Sequence, residues 1–254
     1  MVSIKNIARS KDKLRIGFVL CDATSAYANA LRRAIISLVP TLAVEDVEFY
    51  ENNSALYDET IAHRLALLPL VTDLDSYVLP AGEAAEGVSR AGSEVKLTLD
   101  AKGPCTVFAS ELKAKDPKVK CAFPQMPIVK LLKNQTIRLE ATALLGQGVE
   151  HMKWAAAAAH FQHLPIIKDG AKSIELTPKD VLDEKQMELF VKADGTLNIP
   201  VTKSKNVQIT QSETDFLFIV ESFGQHKPEV LIKEAASQLD KQLDSIAEAL
   251  KKIK

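Results

Sequence analysis

The end of this 254-residue chain carries a heptad repeat that limits what the chain can fold into. Large apolar residues recur every seven positions, and a second apolar series falls four positions after each of the first three. The two series together are Ile232, Ala236, Leu239, Leu243, Ile246, Leu250 and Ile253. This spacing predicts a helix with a narrow a/d seam, whereas a helix lying on its own domain usually shows a broader apolar stripe. The pattern therefore favours another helix as the mate of this segment.

The energetics of this C-terminal helix point the same way. Six large seam side chains contribute about 9–18 kcal/mol if they are fully buried, at roughly 1.5–3 kcal/mol each. Ordering about 22 residues costs on the order of 30 kcal/mol before hydrogen bonding. The isolated helix is therefore marginal and must dock on something. A helix near the start of the chain is its natural first neighbour, and a partner subunit would complete the packing; the alternative is that both helices pack only within this chain.

The helix near the start follows from local signals between Asp22 and Pro40. Thr24 or Ser25 can cap it, and Pro40 ends it because the residue before a proline is pushed out of the α region. The sequence thus predicts a helix over about 26–38. Its apolar stripe is Tyr27, Leu31, Ala34, Ile35 and Leu38, and the residues off the stripe are Asn29, Arg32 and Arg33. One face of this helix is built to be buried.

A second helix follows a short strand that is predicted over 45–50. Asn52, Asn53 and Ser54 favour a turn or cap. Acidic residues then occupy a first helical turn, where the helix dipole favours negative charge, and Pro69 closes the element. The acidic residues are Asp58 and Glu59, and the apolar side is Leu56, Ile61, Leu65 and Leu68.

The rest of the chain adds strands, which gives a mixed α+β fold class. Three segments alternate between apolar and polar residues, as strands half-buried on one side do: Leu14, Ile16, Phe18, Leu20; Val95, Leu97, Leu99; and Ile137, Leu139, Ala141. The continuous apolar run at 216–220 predicts a strand covered on both faces. The small-residue segment 81–93 predicts an exposed loop.

Composition and charge exclude several classes of protein. With 46% hydrophobic residues, a net charge of −1 and a pI of about 6.5, the chain is an ordinary globular protein without the basic excess typical of direct DNA binding. Lys203–Lys205 is best interpreted as a solvated loop. The polar start 1–13 and the lack of an apolar run of roughly 18–20 residues predict a cytoplasmic protein. The three cysteines are widely spaced, which suits a reducing compartment without disulfides.

Candidate reaction chemistry is sparse. Glu59 and His63 lie four positions apart on the second helix with Arg64 beside them, which suits acid–base work, but no nucleophile is tied to them by spacing. A helical surface pair or a partner contact is the stronger interpretation. A zinc site would need its ligands drawn from His151, His160, His163, Cys105 and Cys121, and these lack a compact Cys pair.

Two segments of the chain carry a family resemblance. The stretch NALRRAIISLVPTLAVEDVEFYENNSALYDETIAHRLALLPL, at 29–70, resembles the signature segment of the D subunit of archaeal RNA polymerase. That family is related to the third-largest subunit of eukaryotic RNA polymerase II and to the amino-terminal domain of bacterial alpha. HMKW at 151–154 resembles a second family signature, which usually has Ala where Met152 stands here. The resemblance spans nearly the whole chain.

The resemblance implies a fold and a set of partners. An alpha-like dimerisation domain, formed by a sheet and two packed helices over 1–45 and 170–254, would be interrupted by a mainly β insertion domain over 46–169. The chain would pair with the smaller subunit L and form the platform for subunits N and P and the two large catalytic subunits. The residues expected to meet L are Tyr27, Leu31, Ala34, Ile35, Leu38, Ile232, Leu239, Leu243, Ile246, Leu250 and Ile253. Those expected to meet larger subunits are Arg32, Arg33, Glu51, Asn52, Asn53, Asp58, His63 and Arg64.

Two alternatives stay open beside this platform. A homodimeric platform like bacterial alpha would pair through the same helices. A stand-alone enzyme would use Glu59, His63 and His151 in a cleft and would be active without other subunits. No carboxylate motif for polymerase metals and no glycine-rich phosphate loop is present, so this chain is expected to lack catalytic residues.

Departures from the family concern metals. Many relatives carry a cysteine-rich metal loop after the segment that here is TDLDSYVLP, at 72–80, and here the following loop has no cysteine. Some archaeal relatives hold an iron–sulfur cluster in a ferredoxin-like insertion, which requires several thiolate ligands. No cysteine lies between His163 and Val201. Neither zinc nor a cluster is therefore expected, and the run Ala155–Ala159 leaves open which contact is made after HMKW.

Overall fold

The structure is a computed structural model that describes residues 1–79, 92–169, 172–175, 177–182 and 207–252. Its helices are α1 (Ser25–Ser37), α2 (Asp58–Ala66), α3 (Pro178–Leu182) and α4 (Pro228–Lys252). Its strands are β1 (Ser3–Arg9), β2 (Arg15–Cys21), β3 (Thr41–Asn52), β4 (Glu94–Lys102), β5 (Cys105–Phe108), β6 (Lys113–Ala114), β7 (Pro127–Leu131), β8 (Thr136–Gly146), β9 (Ala157–Asp169), β10 (Lys172–Glu175) and β11 (Val207–Ser222). The predicted α+β class is confirmed.

The chain divides into two compact units. The first unit comprises Met1–Ile36, Ala157–Ser222 and Lys227–Lys254, and the second comprises Ser37–Ala156 and Phe223–His226. These divisions fall earlier in the chain than the expected 45 and 169. The reason is that β3 begins at Thr41 and pairs with β8 in the second unit, while β9 begins at Ala157 and pairs with β11 in the first.

The first unit contains a five-stranded antiparallel sheet in the order β1-β2-β11-β9-β10. Aromatic rings stack across its central strands, with ring centroids 5.2 Å apart for Phe18 and Phe218 and 5.3 Å apart for Phe161 and Phe218. The run at 216–220 is buried on both faces, as its continuous apolar pattern predicts. This sheet gives the unit its core.

The prediction that β2 is half-buried was wrong, because both of its faces are covered. Val19 is buried together with Leu217 and Leu164 on the face opposite Phe18. At Gly17 a side chain would meet α3, since an added Cβ would lie 2.9 Å from the Pro178 Cβ. A segment remote in sequence thus covers the face that the alternation assigned to solvent.

Helix α1 begins where the capping residues predict. The Tyr27 backbone N–H donates to the Thr24 hydroxyl at 3.2 Å, so Thr24 rather than Ser25 is the cap. Ala28, Leu31, Ala34 and Ile35 are buried along one face. The helix ends at Ser37, one residue before the predicted end at Leu38.

The second unit is built on a four-stranded antiparallel sheet in the order β3-β8-β4-β6, beside a two-stranded sheet of β5 and β7. The alternating segments of β4 and β8 form strands that bury one face each, as predicted. Helix α2 packs its apolar side into the same core. The fully buried members of this core include Leu42, Ile61, Leu65, Leu97, Leu99, Ile137, Leu139 and Ala141.

Helix α4 has two halves that differ in burial. Leu231 and Ala235 are completely buried near its start. From Asp240 to Lys252 every residue is exposed. The seam residue Ile253 lies outside the described residues, as do Lys203–Lys205 and most of the segment 81–93.

In the described part of the chain, no helix combines the length and the apolar character that crossing a membrane requires.

Candidate protein interface

The heptad seam of α4 is an exposed apolar stripe. Leu243 is 63% exposed, Ile246 57% and Leu250 60%. Ile232 and Leu239, nearer the start of the helix, are half-buried. Of the residues that α4 buries, Leu231 and Ala235 lie one position before seam residues and Pro228 begins the helix, so the distal part of the seam is left uncovered in the isolated chain.

The corresponding stripe of α1 is covered by its own chain. Leu31, Ala34 and Ile35 are almost completely buried, which makes them core residues with little surface to offer a partner. Tyr27 is 43% exposed, so it is the main accessible member of this predicted set. Leu38 follows the helix, and its carbonyl accepts a hydrogen bond from the Gln147 side-chain amide at 2.6 Å. The exposed part of the predicted interface with L thus lies mainly on α4.

The polar residues of the turn before α2 hold the turn itself. The Asn52 side chain accepts from the Ser54 N–H at 3.1 Å and donates to the Leu56 carbonyl at 3.0 Å and to the Asp58 carboxylate at 2.6 Å. Such Asx-type bonds replace backbone pairing in tight turns. These bonds fix the chain just before and just after Tyr57, which is 81% exposed.

The residues that flank this turn also bond to the neighbouring strand. The Asn53 side-chain oxygen accepts from the Thr136 N–H at 2.5 Å, and Glu51 accepts from the Thr136 hydroxyl. Their assignment as contacts to larger subunits stays a prediction. What the structure shows is that both side chains tie β3 to β8.

The basic residues predicted to meet larger subunits differ in their surroundings. Arg64 donates through Nε to the Ile128 carbonyl at 2.8 Å and through Nη2 to the Pro127 carbonyl at 2.5 Å, so it anchors α2 to β7. Arg32 donates to the Asn29 side chain on its own helix. Arg33 and His63 are exposed on their helices.

The HMKW segment forms a structural clasp within the second unit. The His151 Nδ1 accepts from the Lys153 N–H at 3.0 Å and caps the short 3-10 turn Met152–Trp154. Lys153 bonds to the Val44 carbonyl at 3.2 Å and to Glu45, and its ammonium lies 4.5 Å from the centre of the Trp154 ring. The motif therefore joins the 3-10 turn to β3.

Trp154 completes the clasp by packing on the end of β8. Its indole N–H donates to the Leu144 carbonyl at 3.1 Å. The ring lies so close to Gly146 that an added Cβ would be 2.5 Å from Cδ2 and 2.8 Å from Nε1. HMKW resembles a family signature, but no local pattern in the sequence predicts its packing against Gly146.

Comparison with known proteins identifies the family. Residues 47–170 match the family model described as the RNA polymerase Rpb3/RpoA insert domain. DNA-directed RNA polymerase subunit Rpo3 of Pyrococcus horikoshii is 36% identical over 265 aligned positions, which cover 100% of this chain and 99% of the relative. Rpo3 of Methanosarcina acetivorans is 36% identical over an alignment that covers 87% of this chain and 88% of that relative. This chain belongs to the Rpo3 family.

The resemblance drawn from 29–70 and from HMKW is thereby confirmed. The family match at 47–170 covers most of the second unit and extends into β9 of the first. In this Rpo3-family chain, residues 29–70 contribute most of α1 together with β3 and α2, and residues 151–154 form the clasp.

The candidate acid–base residues Glu59 and His63 lie four positions apart on α2, whereas His151 lies in the turn before Trp154. Within the described ranges, no hydrogen bond or ion pair links any two of Glu59, His63 and His151. His151 is engaged in capping the 3-10 turn. That Glu59 and His63 form a helical surface pair or a partner contact stays a prediction.

The candidate metal ligands of this Rpo3-family chain are likewise dispersed. Across the described residues, no three His, Cys, Asp or Glu side chains are grouped so as to hold a metal ion. Burial raises the pKa of the Cys121 thiol and of the Cys21 thiol, which disfavours the thiolate that metals and electrophiles require. Burial also lowers the pKa of His160. That the protein works without zinc or an iron–sulfur cluster stays a prediction.

A polar network that sequence reasoning missed holds the segment after α2. Asp73 accepts from the Lys118 ammonium at 2.5 Å and from the Ser76 hydroxyl at 2.8 Å, and these bonds lower the pKa of Asp73 to about 2. The Tyr77 hydroxyl donates to Asp116 at 2.8 Å. Burial, and after it the hydrogen bond to Asp116, raises the pKa of Tyr77 to about 12. The network fixes 73–77 against the turn at 116–118.

Proposed function

We propose that this chain is the assembly-platform subunit of a DNA-directed RNA polymerase. It carries out no nucleotidyl transfer itself, pairs with the smaller subunit L, and organises subunits N and P and the large catalytic subunits. The family supports membership in the polymerase. The observation that carries the pairing is the exposed seam of α4.

The seam has the properties of half of a helix–helix interface. Leu243, Ile246 and Leu250 lie on one side of a helix whose last 13 residues, Asp240–Lys252, are exposed all round. Burying each of these side chains is worth about 1.5–3 kcal/mol, so a mating helix recovers several kcal/mol that the isolated chain forgoes. Knobs of this spacing fit the holes of another helix better than they fit a sheet. L is the partner that family membership favours.

Contacts with N, P and the large subunits are expected on the second unit. Tyr57 is exposed on a turn held by Asn52, and a rigid aromatic side chain loses little conformational entropy on binding. His63 and Arg33 supply exposed polar groups elsewhere on the chain. This distribution supports a subunit that meets several neighbours through separate surfaces.

Co-expression with an L subunit of an archaeal RNA polymerase tests the proposal. Native mass spectrometry and size-exclusion chromatography are expected to show a one-to-one complex. Leu243→Asp and Ile246→Asp place a carboxylate in the seam and are expected to weaken binding at least about 100-fold, since a buried unpaired charge costs several kcal/mol. Both residues are exposed in the free chain, so its own melting temperature should change little.

Ser245→Asp is the matched control. Ser245 is exposed on the same helix but lies off the seam, and Ser and Asp differ little in helix propensity, so this variant is expected to bind L within about twofold of the parent chain. Equal binding by parent and Leu243→Asp would refute the seam as the interface. A chain that ignores L and forms homodimers, which Leu243→Asp disrupts, would instead support the alpha-like alternative. Activity of the isolated chain that is lost on mutating Glu59 or His63 would support the stand-alone enzyme.

A further inference from the structure

Helix α4 is supported along only half of its length. In the docked half, Leu231 and Ala235 are buried, Glu229 pairs with Arg9 on β1, and the Gln238 side chain donates to Glu234 at 2.7 Å. In the distal half, Asp240–Lys252, all residues are exposed. No side-chain hydrogen bond or ion pair forms within the distal half, whose residues are all described. Its helical form depends on local preferences alone.

Those local preferences are close to balance. Asp240, Asp244 and Glu248 follow one another at spacings of four, so like charges are neighbours on one side of the helix, which disfavours it. The opposite sign at Lys252, four positions after Glu248, and basic charge in the last turn favour it. Helical segments of about a dozen residues without tertiary support are marginal in water. The docked half supplies a nucleus, but nothing in the described structure holds the far end.

We propose that the distal half of α4 is only partly helical when the chain is alone and completes its helix as subunit L docks on the seam. This inference rests on the proposed pairing with L. Recognition is then coupled to helix formation: the same event buries Leu243, Ile246 and Leu250 and fixes the backbone between them. The ordering lowers the affinity that the buried seam would otherwise give.

Coupling makes a prediction that a preformed helix does not make. A substitution off the seam that changes only helix propensity alters the free energy of forming the helix. If the helix forms on docking, that change appears in the Kd for L. If the helix is already complete in the free chain, the free and bound states change equally and the Kd stays the same.

Ser245 and Ser237 give a matched pair of sites for this test. Ser245 lies in the distal half and Ser237 in the docked half, and neither belongs to the seam. At each site the full chain is made with Ala and with Gly, and the Kd for L is measured by titration calorimetry. At position 245 the Gly variant is expected to bind about four- to fivefold more weakly than the Ala variant, the equivalent of about 0.8–1.0 kcal/mol of helix propensity. At position 237 the two variants are expected to agree within about twofold.

Hydrogen exchange of the full chain, free and bound to L, gives an independent measurement. Backbone amides of 244–252 are expected to exchange much faster than those of 231–239 in the free chain and to become protected in the complex. Equal Kd values for the two variants at 245, or distal amides already as protected in the free chain, would overturn the coupling while leaving the pairing with L intact. Failure of L to bind the parent chain would overturn the proposed function and the coupling together.

Discussion

Gly146→Ala tests the account of the HMKW clasp most directly. A glycine-to-alanine change usually stabilises a protein by about 0.4–1 kcal/mol, because it restricts the unfolded chain. At Gly146 the new methyl group would lie 2.5 Å from Cδ2 of Trp154, well inside van der Waals contact. The ring cannot retreat freely, since its N–H bonds the Leu144 carbonyl at 3.1 Å and Lys153 lies over its face.

Gly146→Ala is therefore expected to destabilise the protein, where a glycine-to-alanine change usually stabilises one. Overpacking a well-filled site costs about 1–3 kcal/mol, which leaves a net loss of about 1.3 kcal/mol at mid-range, and of up to about 2.6 kcal/mol, after the gain from the unfolded state. Urea unfolding followed by Trp154 fluorescence reports on this unit, because the chain has a single tryptophan. The same loss corresponds to a lower melting temperature, by roughly 3–6 °C per kcal/mol for a unit of this size.

Gly92→Ala is the matched control. An added Cβ at Gly92 meets no atom within 4 Å, so this variant is expected to be neutral or slightly stabilised. The loss at Gly146 should also shrink when Trp154 is replaced by Leu, because the two residues couple through one contact. Since that replacement removes the only tryptophan, the double-mutant cycle is followed by far-UV circular dichroism in all four proteins. A Gly146→Ala protein as stable as the parent, or a loss that persists undiminished beside Trp154→Leu, would refute the close-packing argument.

Three further predictions concern the second unit. Tyr77→Phe removes the hydrogen bond to Asp116 and is expected to lower the free energy of unfolding in urea by about 1 kcal/mol. Because the pKa of Tyr77 is raised to about 12, the stability that this tyrosine contributes is complete below about pH 10 and is lost as the pH rises to about 12. Tyrosinate absorbance and thermal melts across that pH range measure the loss. The pKa of Asp73 is lowered to about 2, chiefly by its bond to Lys118, so the stability that this carboxylate contributes is complete above about pH 4 and is lost as the pH falls toward 2. The melting temperature of Asp73→Asn should therefore fall less steeply with acid than that of the parent, and an equally steep fall would contradict this. Arg64→Lys keeps the charge but cannot make both hydrogen bonds to β7, so the free energy of unfolding is expected to fall by about 1–2 kcal/mol. An unchanged free energy of unfolding would show that Arg64 does not anchor α2 to β7.

The parts of the fold that the sequence predicted well depend on local rules. Thr24 caps α1 because its hydroxyl replaces a missing helical acceptor three residues away. The alternation at Val95 and Leu97 places both in the core of the second unit, since neighbouring residues of a strand face opposite sides. Pro40 and Pro69 bound their helices because proline restricts the residue before it. Each of these signals is complete within a few residues.

The parts that the sequence did not predict depend on distant segments. Gly17 has no local reason to be glycine, and its role emerges only when Pro178 of α3 lies against it. The apparent one-sided alternation of β2 has the same explanation. His151 and Glu59 suggested reaction chemistry because histidine and glutamate are common acid–base residues as well as structural ones. Only the hydrogen bond of His151 shows that this histidine caps a turn. Pairings across more than a hundred residues leave no periodic trace.

Helices α1 and α4 differ in how much of their apolar surface the chain itself covers. Both helices carry apolar residues at spacings of three and four, and the family resemblance assigned both to the interface with L. On α1 the chain itself covers Ala28, Leu31, Ala34 and Ile35, and Tyr27 is the main part of the stripe that stays exposed. The distal half of α4 has Leu243 and Leu250 on its seam and no covering element among the described residues. Since a covered stripe already contributes its burial to the fold of the chain, only the uncovered one has hydrophobic free energy left to drive association.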